Sequence, residues 1–361
     1  MAFARLKSLY KRHEKYGVIL FFLAGLLLDV VLLGRIDSLF DIVQHAVYLA
    51  VVGILLTFEV IDAQGNLRVI GFLQKPWQYR EEAIHFLLGA LLSAFTIFYF
   101  KSASLLNSFL FFAVIVFLLV ANELPSFRKM GLSIRFVLFS VCLVSYFSYV
   151  VPTLWGGVGF FPFVTALVLS GAILYGIYKF LEKRLENKDS LIGEIAMPTQ
   201  LVFIVFFVMY VFQLIPPVPL SIKKIGIYHN VTKTPAGHEL AHEQPWWKIW
   251  RSGDQHFVAR PGDKIYCYFS VFSPTGFEDQ VQVRWMYDGA DGWSRSDAIP
   301  VKIAGGRDDG FRGYTFKENY QEGEWQVRIE TMDGREIGRL YFDVVKDPVG
   351  TIERKFFKTL H

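Results

Sequence analysis

The hydrophobic and polar positions divide the chain into two parts with different periodicities. Up to Leu220 the apolar residues occur in long runs, whereas from Ser221 onward apolar and polar residues alternate. Long runs are typical of membrane-spanning helices, and alternation with a period of two is typical of half-buried strands. The change occurs at Leu201–Leu220, an apolar run with one strongly polar side chain, Gln213, that ends in Pro216-Pro217-Val218-Pro219. Because proline cannot continue a helix, this segment predicts the exit of the last span into water.

Seven apolar runs in the first part predict a transmembrane bundle of about seven helices. The first run follows a basic segment, but it is longer than the apolar region of a signal peptide and no clear cleavage site follows it. We therefore interpret it as a retained span. The runs are residues 18–34, 40–60, 83–100, 105–120, 132–151, 160–181 and 201–214.

The positions of Lys and Arg predict the orientation of these helices. If the N-terminus is cytoplasmic, the inner segments hold 15 Lys and Arg, and the outer loops hold two, Arg35 and Lys101. Cytoplasmic loops carry an excess of these residues, so the distribution favours a cytoplasmic N-terminus. An odd number of spans then places the C-terminal part outside the cytoplasm.

The alternating part predicts an all-β domain. Val281, Val283 and Trp285 alternate with polar residues, and Asp333-Gly334 stands between two further alternating runs, which is a strong hairpin signal. Seven to nine short strands with frequent turns favour an immunoglobulin-like sandwich. The predicted division is a transmembrane domain at 1–220, a β-sandwich at 221–350 and a basic-aromatic tail at 351–361. We expect this tail to be a frayed end or a short helix at the membrane boundary.

Several segments resemble the family DUF2914, a domain of unknown function found in bacteria. In the C-terminal part they are IPPVPLSIKKIGIYH (215–229), GGRDDGFRGYTFK (305–317) and GEWQVRIETMDGREIGRLYFDV (323–344). FYFKSAS (98–104) and VANELP (120–125) are similar to the multi-pass members of the family. The resemblance implies a bacterial membrane-anchored protein, and it supplies no activity or functional residue. The expected location is the inner membrane, with the β-domain in the periplasm.

Ionisable residues in the apolar runs are candidates for an intramembrane site, because charges in hydrocarbon are costly. Towards the outer side, Asp29 lies late in the first run, and Asp41 and His45 share a helix face at the start of the second. These residues predict a cation site or a proton relay. The alternative is an interfacial polar patch in which the helix dipole favours Asp41.

A second polar group lies towards the inner side. Glu59 ends the second run, Glu81 and His85 open the third with a spacing of four, and Glu123 ends the fourth. A carboxylate that orients an imidazole fits a proton or metal site. The alternative is a set of interfacial acids balanced by nearby Lys and Arg.

In the β-domain, two groups of residues are candidates for ligand contact. Trp246, Trp247 and Trp250 could stack on sugar rings, or could belong to the core or to a belt at the membrane interface. Arg307 and Arg312 stand among glycines and fit an anion site, or a hairpin whose arginines are solvated or paired with neighbouring aspartates.

Composition narrows the function classes. At 53% hydrophobic residues the chain is too apolar for an ordinary soluble protein, and its two cysteines lie in different parts. His238 and His242 stand four apart in HELAH (238–242), which has the HExxH pattern, but the surrounding sequence indicates loop and strand and not the helix on which two such histidines share a face. No GxSxG, P-loop or paired CxxC motif occurs, so the sequence supports no standard enzyme, metal or cofactor. We expect no nucleic-acid partner. We predict a membrane protein whose β-domain binds an envelope glycan or a membrane-protein partner. The alternatives are a membrane-embedded enzyme or transporter that uses the polar residues above, and a sensor.

Overall fold

The computed structural model describes residues 34–361 except 66, 68, 70, 105–106, 125–126, 128–130, 186–190, 246, 249–250, 252, 348–349 and 351–353. Most of the first predicted span therefore lies outside the described residues. The same is true of three predicted site residues, Asp29, Trp246 and Trp250.

The described part before residue 220 is helical. Its main helices are α1 (Leu39–Ala63), α2 (Arg80–Ser102), α3 (Phe109–Glu123), α4 (Leu132–Trp155), α5 (Phe160–Glu182) and α6 (Met197–Val211). A π-helical turn, Ile192–Ala196, leads into α6, and two short turns, Gly71–Leu73 and Gln74–Trp77, precede α2.

Five helices in the described residues are long and apolar enough to cross a membrane, counting α6 with its π-helical turn. The remaining helix, α3, has 15 residues, so it is about 22 Å long and shorter than a hydrocarbon core of about 30 Å. The predicted count of seven spans is therefore matched only loosely. Large apolar side chains are exposed on α1, α5 and α6, for example Val47, Ile173 and Ile204, which is compatible with a lipid-facing surface.

The described residues after 220 form eleven strands. They are β1 (Ser221–Tyr228), β2 (Asn230–Thr234), β3 (Gly237–His242), β4 (His256–Ala259), β5 (Ile265–Phe272), β6 (Glu278–Gly289), β7 (Gly292–Ala304), β8 (Phe311–Lys317), β9 (Gly323–Thr331), β10 (Glu336–Lys346) and β11 (Phe357–Leu360).

Two of the three sheets form a sandwich. One has the order β1-β5-β8 and the other β4-β10-β9-β6-β7, with β4 parallel to β10. The order matches the A, B and E strands of an immunoglobulin-like sandwich on one side and its G, F and C strands on the other. Cys267 on β5 and Trp285 on β6 are fully buried in the shared core, as are the cysteine of strand B and the tryptophan of strand C in antibody domains.

The third sheet has the order β11-β3-β2, and it corrects the expectation for the tail. Residues Phe357–Leu360 pair with β3, and the backbone groups of His361 and His238 exchange hydrogen bonds of 2.8 and 2.9 Å. Residues Phe357–Leu360 of the tail thus form a strand and not a frayed end or a helix. It pairs with β3, more than 110 residues earlier in the sequence.

Contacts divide the chain into two compact units. One runs up to Phe98 and includes Phe112–Phe147 and Val168–Val205, and it holds most of the helical residues. The other comprises Tyr99–Phe111, Ser148–Leu167 and Phe206–His361. This second unit contains the sandwich together with the end of α2, the start of α3, the end of α4, the start of α5 and the end of α6.

Candidate functional site

One end of the sandwich is bonded to the helix connections of its own unit. Glu336, the first residue of β10, is buried, and its carboxylate accepts hydrogen bonds from Ser104 and, at 3.0 Å, from the Asn107 amide. The Arg339 guanidinium pairs with the same carboxylate and donates to Asn107 Oδ1 at 3.2 Å. Because a buried carboxylate needs compensating charge and hydrogen bonds, these partners fix the start of β10 against the α2–α3 connection.

The β9–β10 turn makes a second attachment. Tyr210 donates its hydroxyl to Asp333 at 2.8 Å, and Gln213 Nε2 donates to the Asp333 carbonyl at 2.9 Å. Gly334 has φ +88°, so the turn favours glycine, and a Cβ at this position would lie 2.7 Å from Gln213 Nε2 and displace the end of that side chain. Burial acts to raise the pKa of Asp333, but the Arg335 guanidinium and hydrogen bonds from Thr331 and Tyr210 hold it below its usual value.

A third attachment lies at the start of β6. The Asp279 carboxylate accepts a hydrogen bond of 2.9 Å from the Val158 amide, and the Glu278 amide donates to the Gly156 carbonyl at 2.9 Å. We call Asp279, Asp333, Glu336 and their partners the docking surface. It binds one end of the sandwich to the α2–α3 connection, to the α4–α5 connection, and to Tyr210 and Gln213 at the end of α6.

Three aromatic side chains form a patch on the sandwich, which we call the aromatic shelf: Tyr266, Tyr314 and Phe316. Tyr266 on β5 stands opposite Phe316 on β8, and Tyr314 lies two residues before Phe316, so all three project from the same face. Ring centroids of Tyr266 lie 5.7 Å from Phe316 and 6.1 Å from Tyr314. Tyr314 and Phe316 are 41% and 47% exposed, so the shelf presents two large aromatic rings to solvent.

A pocket of about 450 Å³ adjoins the shelf. Lys264 connects the two, because its Nζ lies 4.8 Å from the Phe316 ring centroid and forms an ion pair of 2.6 Å with Glu318. The pocket is lined by Ala259, Arg260, Pro261, Gly262, Asp263, Lys264, Glu318, Tyr320 and Lys346. It therefore offers charges of both signs and a phenol beside three aromatic rings.

The register places the shelf and the pocket far from the docking surface. Ser221, which follows the last helix, pairs with Phe272 at the end of β5, whereas Ile265 at the start of β5 pairs with Lys317. The shelf and the pocket lie at this second end of the strands. We call them together the distal site.

The predicted tryptophan site is described only at Trp247, which is 52% exposed and lies under Lys248, with Nζ 5.2 Å from the ring centroid. The base of this loop is held by Asp254, whose carboxylate accepts hydrogen bonds from the backbone amides of Glu243 and Gln244. Burial raises the pKa of Asp254 to about 7. The structure shows an anchored loop with an exposed tryptophan, and ligand contact there stays a prediction.

The two predicted arginines are not brought into one anion site. Arg312 pairs with Asp309 at 2.8 Å, and Arg307 is exposed in the preceding turn. Arg312 lies two residues before Tyr314 on β8, so it borders the aromatic shelf. The sequence does show aromatic residues at alternate positions in 266–268 and 314–316. This pattern predicts the aromatic shelf only once the pairing of β5 with β8 is known.

In the helical unit, two of the predicted acidic residues converge on an arginine. Arg135 on α4 is buried and forms ion pairs with Glu59 on α1 and, at 3.0 Å, with Glu81 on α2. Arg135 is one of the 15 inner Lys and Arg whose distribution predicts the orientation. Because the guanidinium compensates the buried Glu59 carboxylate, this arrangement supports packing of three helices more directly than proton transfer.

The other predicted intramembrane residues are distributed over separate places. His85 Nδ1 lies 2.9 Å from Asn122 Oδ1, and the Asn122 amide donates to the His85 carbonyl and, at 3.4 Å, to Glu123. His45 packs edge-on against Phe95 and Phe98. Asp41 lies in the first turn of α1, where its backbone amide donates to Ser38. The described members therefore form several small clusters and not one site.

Comparisons with known proteins bear on the β-domain. An immunoglobulin-like protein from Pseudomonas aeruginosa is 15% identical with a TM-score of 0.22, and the match covers 36% of this chain and 98% of that protein. The alkylpurine DNA glycosylase AlkC from Pseudomonas fluorescens, bound to DNA containing an abasic site analog, is 9% identical with a TM-score of 0.21, covering 86% of this chain and 100% of that one. Scores this low indicate neither a shared overall fold nor a shared function.

No curated protein matches the chain. The model of the family DUF2914, a protein of unknown function, matches residues 278–344. This segment runs from the start of β6 into β10 and includes Asp279, Asp333 and Glu336 of the docking surface, as well as Tyr314 and Phe316 of the shelf. The match confirms the resemblance predicted for the C-terminal domain, which carries the DUF2914 signature.

Proposed function

We propose that this protein is a multi-pass protein of the bacterial inner membrane whose β-domain lies in the periplasm and binds an envelope glycan through the distal site. One observation carries the proposal. The sandwich is bonded at one end to the helix connections, and at its other end it presents an exposed aromatic shelf beside a polar pocket. This arrangement is that of an anchored recognition domain.

The distribution of charge supports the orientation. The docking surface uses the connections at residues 103–108 and 156–159, and neither connection contains Lys or Arg. Connections poor in these residues are typical of the non-cytoplasmic side. Since the sandwich shares a unit with both connections, it belongs on that side too.

The chemistry of the distal site supports a sugar ligand. Aromatic faces stack on the apolar faces of sugar rings, and neighbouring charged groups hydrogen-bond sugar hydroxyls. Tyr266, Tyr314 and Phe316 supply the faces, and Lys264 and Glu318 supply the polar groups. Because the rings stand on paired strands, little conformational entropy is lost when a ligand binds.

The membrane-embedded enzyme or transporter has less support. Glu59 and Glu81 pair with Arg135, and His85 bonds to Asn122, so the described polar residues compensate one another.

The test is binding of full-length protein in lipid nanodiscs to soluble peptidoglycan fragments, measured by calorimetry. Phe316→Ala removes one stacking face and should weaken binding about fivefold, which corresponds to about 1 kcal/mol. The matched control is Trp293→Ala, because Trp293 is 36% exposed on β7 in the other sheet. Equal affinity of wild type and Phe316→Ala, or an equal loss in Trp293→Ala, contradicts the proposal.

A further inference from the structure

The helical unit contains a second candidate site, which is independent of the distal site. A groove of about 490 Å³ lies between α1, α4 and α5. Its walls include Ala46, Ala50 and Gly53 from α1, Phe139 and Phe147 from α4, and Phe180 from α5. The lining is almost entirely apolar, and the small side chains of α1 leave the space that the phenyl rings border.

The length of the groove matches one leaflet of a bilayer. Along α1 it extends from Ala46 to Phe58, which is about 18 Å at 1.5 Å per residue. Half of a hydrocarbon core is about 15 Å thick. A single acyl chain that runs along the groove would therefore cross most of one leaflet.

Positive charge stands at one end of the groove. Phe180 lines this end, and the Arg184 guanidinium lies 4.9 Å from the centroid of its ring. Lys183 is exposed beside it, while Lys179 is paired with Glu182 at 2.8 Å. This is the end that the excess of Lys and Arg assigns to the cytoplasm, where basic residues attract anionic lipid headgroups.

From the apolar groove and the cations at its end, we infer that the helical unit binds one anionic phospholipid. Its acyl chain lies along α1, α4 and α5, and its phosphate contacts Arg184 and Lys183. The occupant is a lipid and not a second copy of the chain, because the groove has the length of one leaflet and ends in charges that complement a phosphate.

Native mass spectrometry of delipidated full-length protein tests this site. The probes are phosphatidylglycerol and phosphatidylcholine with the same acyl chains. Wild type should bind phosphatidylglycerol roughly 25-fold more tightly, since each of the two basic residues near the anionic headgroup contributes about fivefold. Arg184→Gln should remove about fivefold of that preference and leave the affinity for phosphatidylcholine unchanged.

Ala50→Phe fills the groove and should weaken binding of both lipids tenfold or more. Two variants are matched controls: Lys75→Gln removes an exposed charge on the same predicted side, and Val114→Phe enlarges an exposed residue on α3 outside the groove. Both should bind as wild type does. Equal affinity of wild type for the two lipids overturns the inference. If wild type is a dimer and Ala50→Phe is a monomer, the groove holds a second copy of the chain, and the inference is overturned as well. Arg184 is exposed, so its variant keeps the test decisive if Ala50→Phe does not fold.

Discussion

The contact between Glu336 and Asn107 is the most direct energetic test of the docking surface. Glu336 is 3% exposed, and its carboxylate is shared by Ser104, Asn107 and Arg339. Glu336→Ala removes the carboxylate that pairs with the Arg339 guanidinium, which costs about 3–5 kcal/mol for a buried ion pair. Asn107→Ala removes the hydrogen bond to the Glu336 carboxylate and the one from the Arg339 guanidinium, each worth about 1.5–3 kcal/mol. Since the two residues touch, these costs are not independent.

A double-mutant cycle separates the contact from the individual losses. The free energy of unfolding of full-length protein is measured in detergent for wild type, Glu336→Ala, Asn107→Ala and the double variant. The double variant should lose less than the two single variants combined, with a coupling of about 1–2 kcal/mol. Costs that add to within about 0.5 kcal/mol would show that the two groups do not interact, and would refute the docking surface at this point. The control pair is Asn107→Ala with Asp288→Ala. Glu278 starts β6 at the docking surface, whereas Asp288 lies near the other end of that strand, so it does not contact Asn107.

Three further predictions concern stability, each measured by denaturant unfolding. Gly253→Ala should lower the free energy of unfolding by more than about 2 kcal/mol, because φ is +76° and the new Cβ would lie 2.1 Å from a backbone oxygen of β1. Its control is Gly262→Ala, which has φ +90° but open space around the new Cβ, and which should lower the free energy of unfolding by about 1 kcal/mol. Arg135→Met should cost about 3–5 kcal/mol because it strands a buried carboxylate, and a cost below 1 kcal/mol would contradict the ion-pair network. Burial raises the pKa of Asp254 from 3.8 to about 7, so the folded state holds a proton that the unfolded state releases between these values, and stability is lost as pH rises. Between about pH 4 and 7, the free energy of unfolding of wild type should therefore fall by about 1.4 kcal/mol per pH unit relative to that of Asp254→Asn. Parallel plots of this free energy against pH for the two proteins would refute the prediction.

Local patterns in the sequence predicted the elements of this protein better than its sites. Apolar runs predicted the helices, and the alternation around Val283 and the Asp333-Gly334 pair predicted strands and a hairpin that the structure contains. These features depend on residues that are close in sequence. The count of spans was less certain, because α3 is short and most of the first run lies outside the described residues.

The sites depend on contacts between distant residues. Tyr266 meets Phe316 only because β5 pairs with β8 across 50 residues, and Glu336 meets Asn107 across more than 200. Arg135 stands near the start of the predicted run 132–151 and counts among the inner cations that indicate orientation, yet its side chain pairs with Glu59. The sequence predicts a turn at Asp333, and no local pattern indicates that Tyr210 bonds to it.

Labelling of single cysteines in intact cells tests the central claim, that the sandwich stands outside the cytoplasm with its distal site exposed. Both native cysteines, Cys142 and Cys267, are buried, so they contribute little background. Phe316→Cys should react with a membrane-impermeant maleimide in spheroplasts, and Lys75→Cys should react only after the membrane is permeabilised. The opposite result would contradict the account: Lys75→Cys would react in intact spheroplasts, and Phe316→Cys would react only after the membrane is permeabilised.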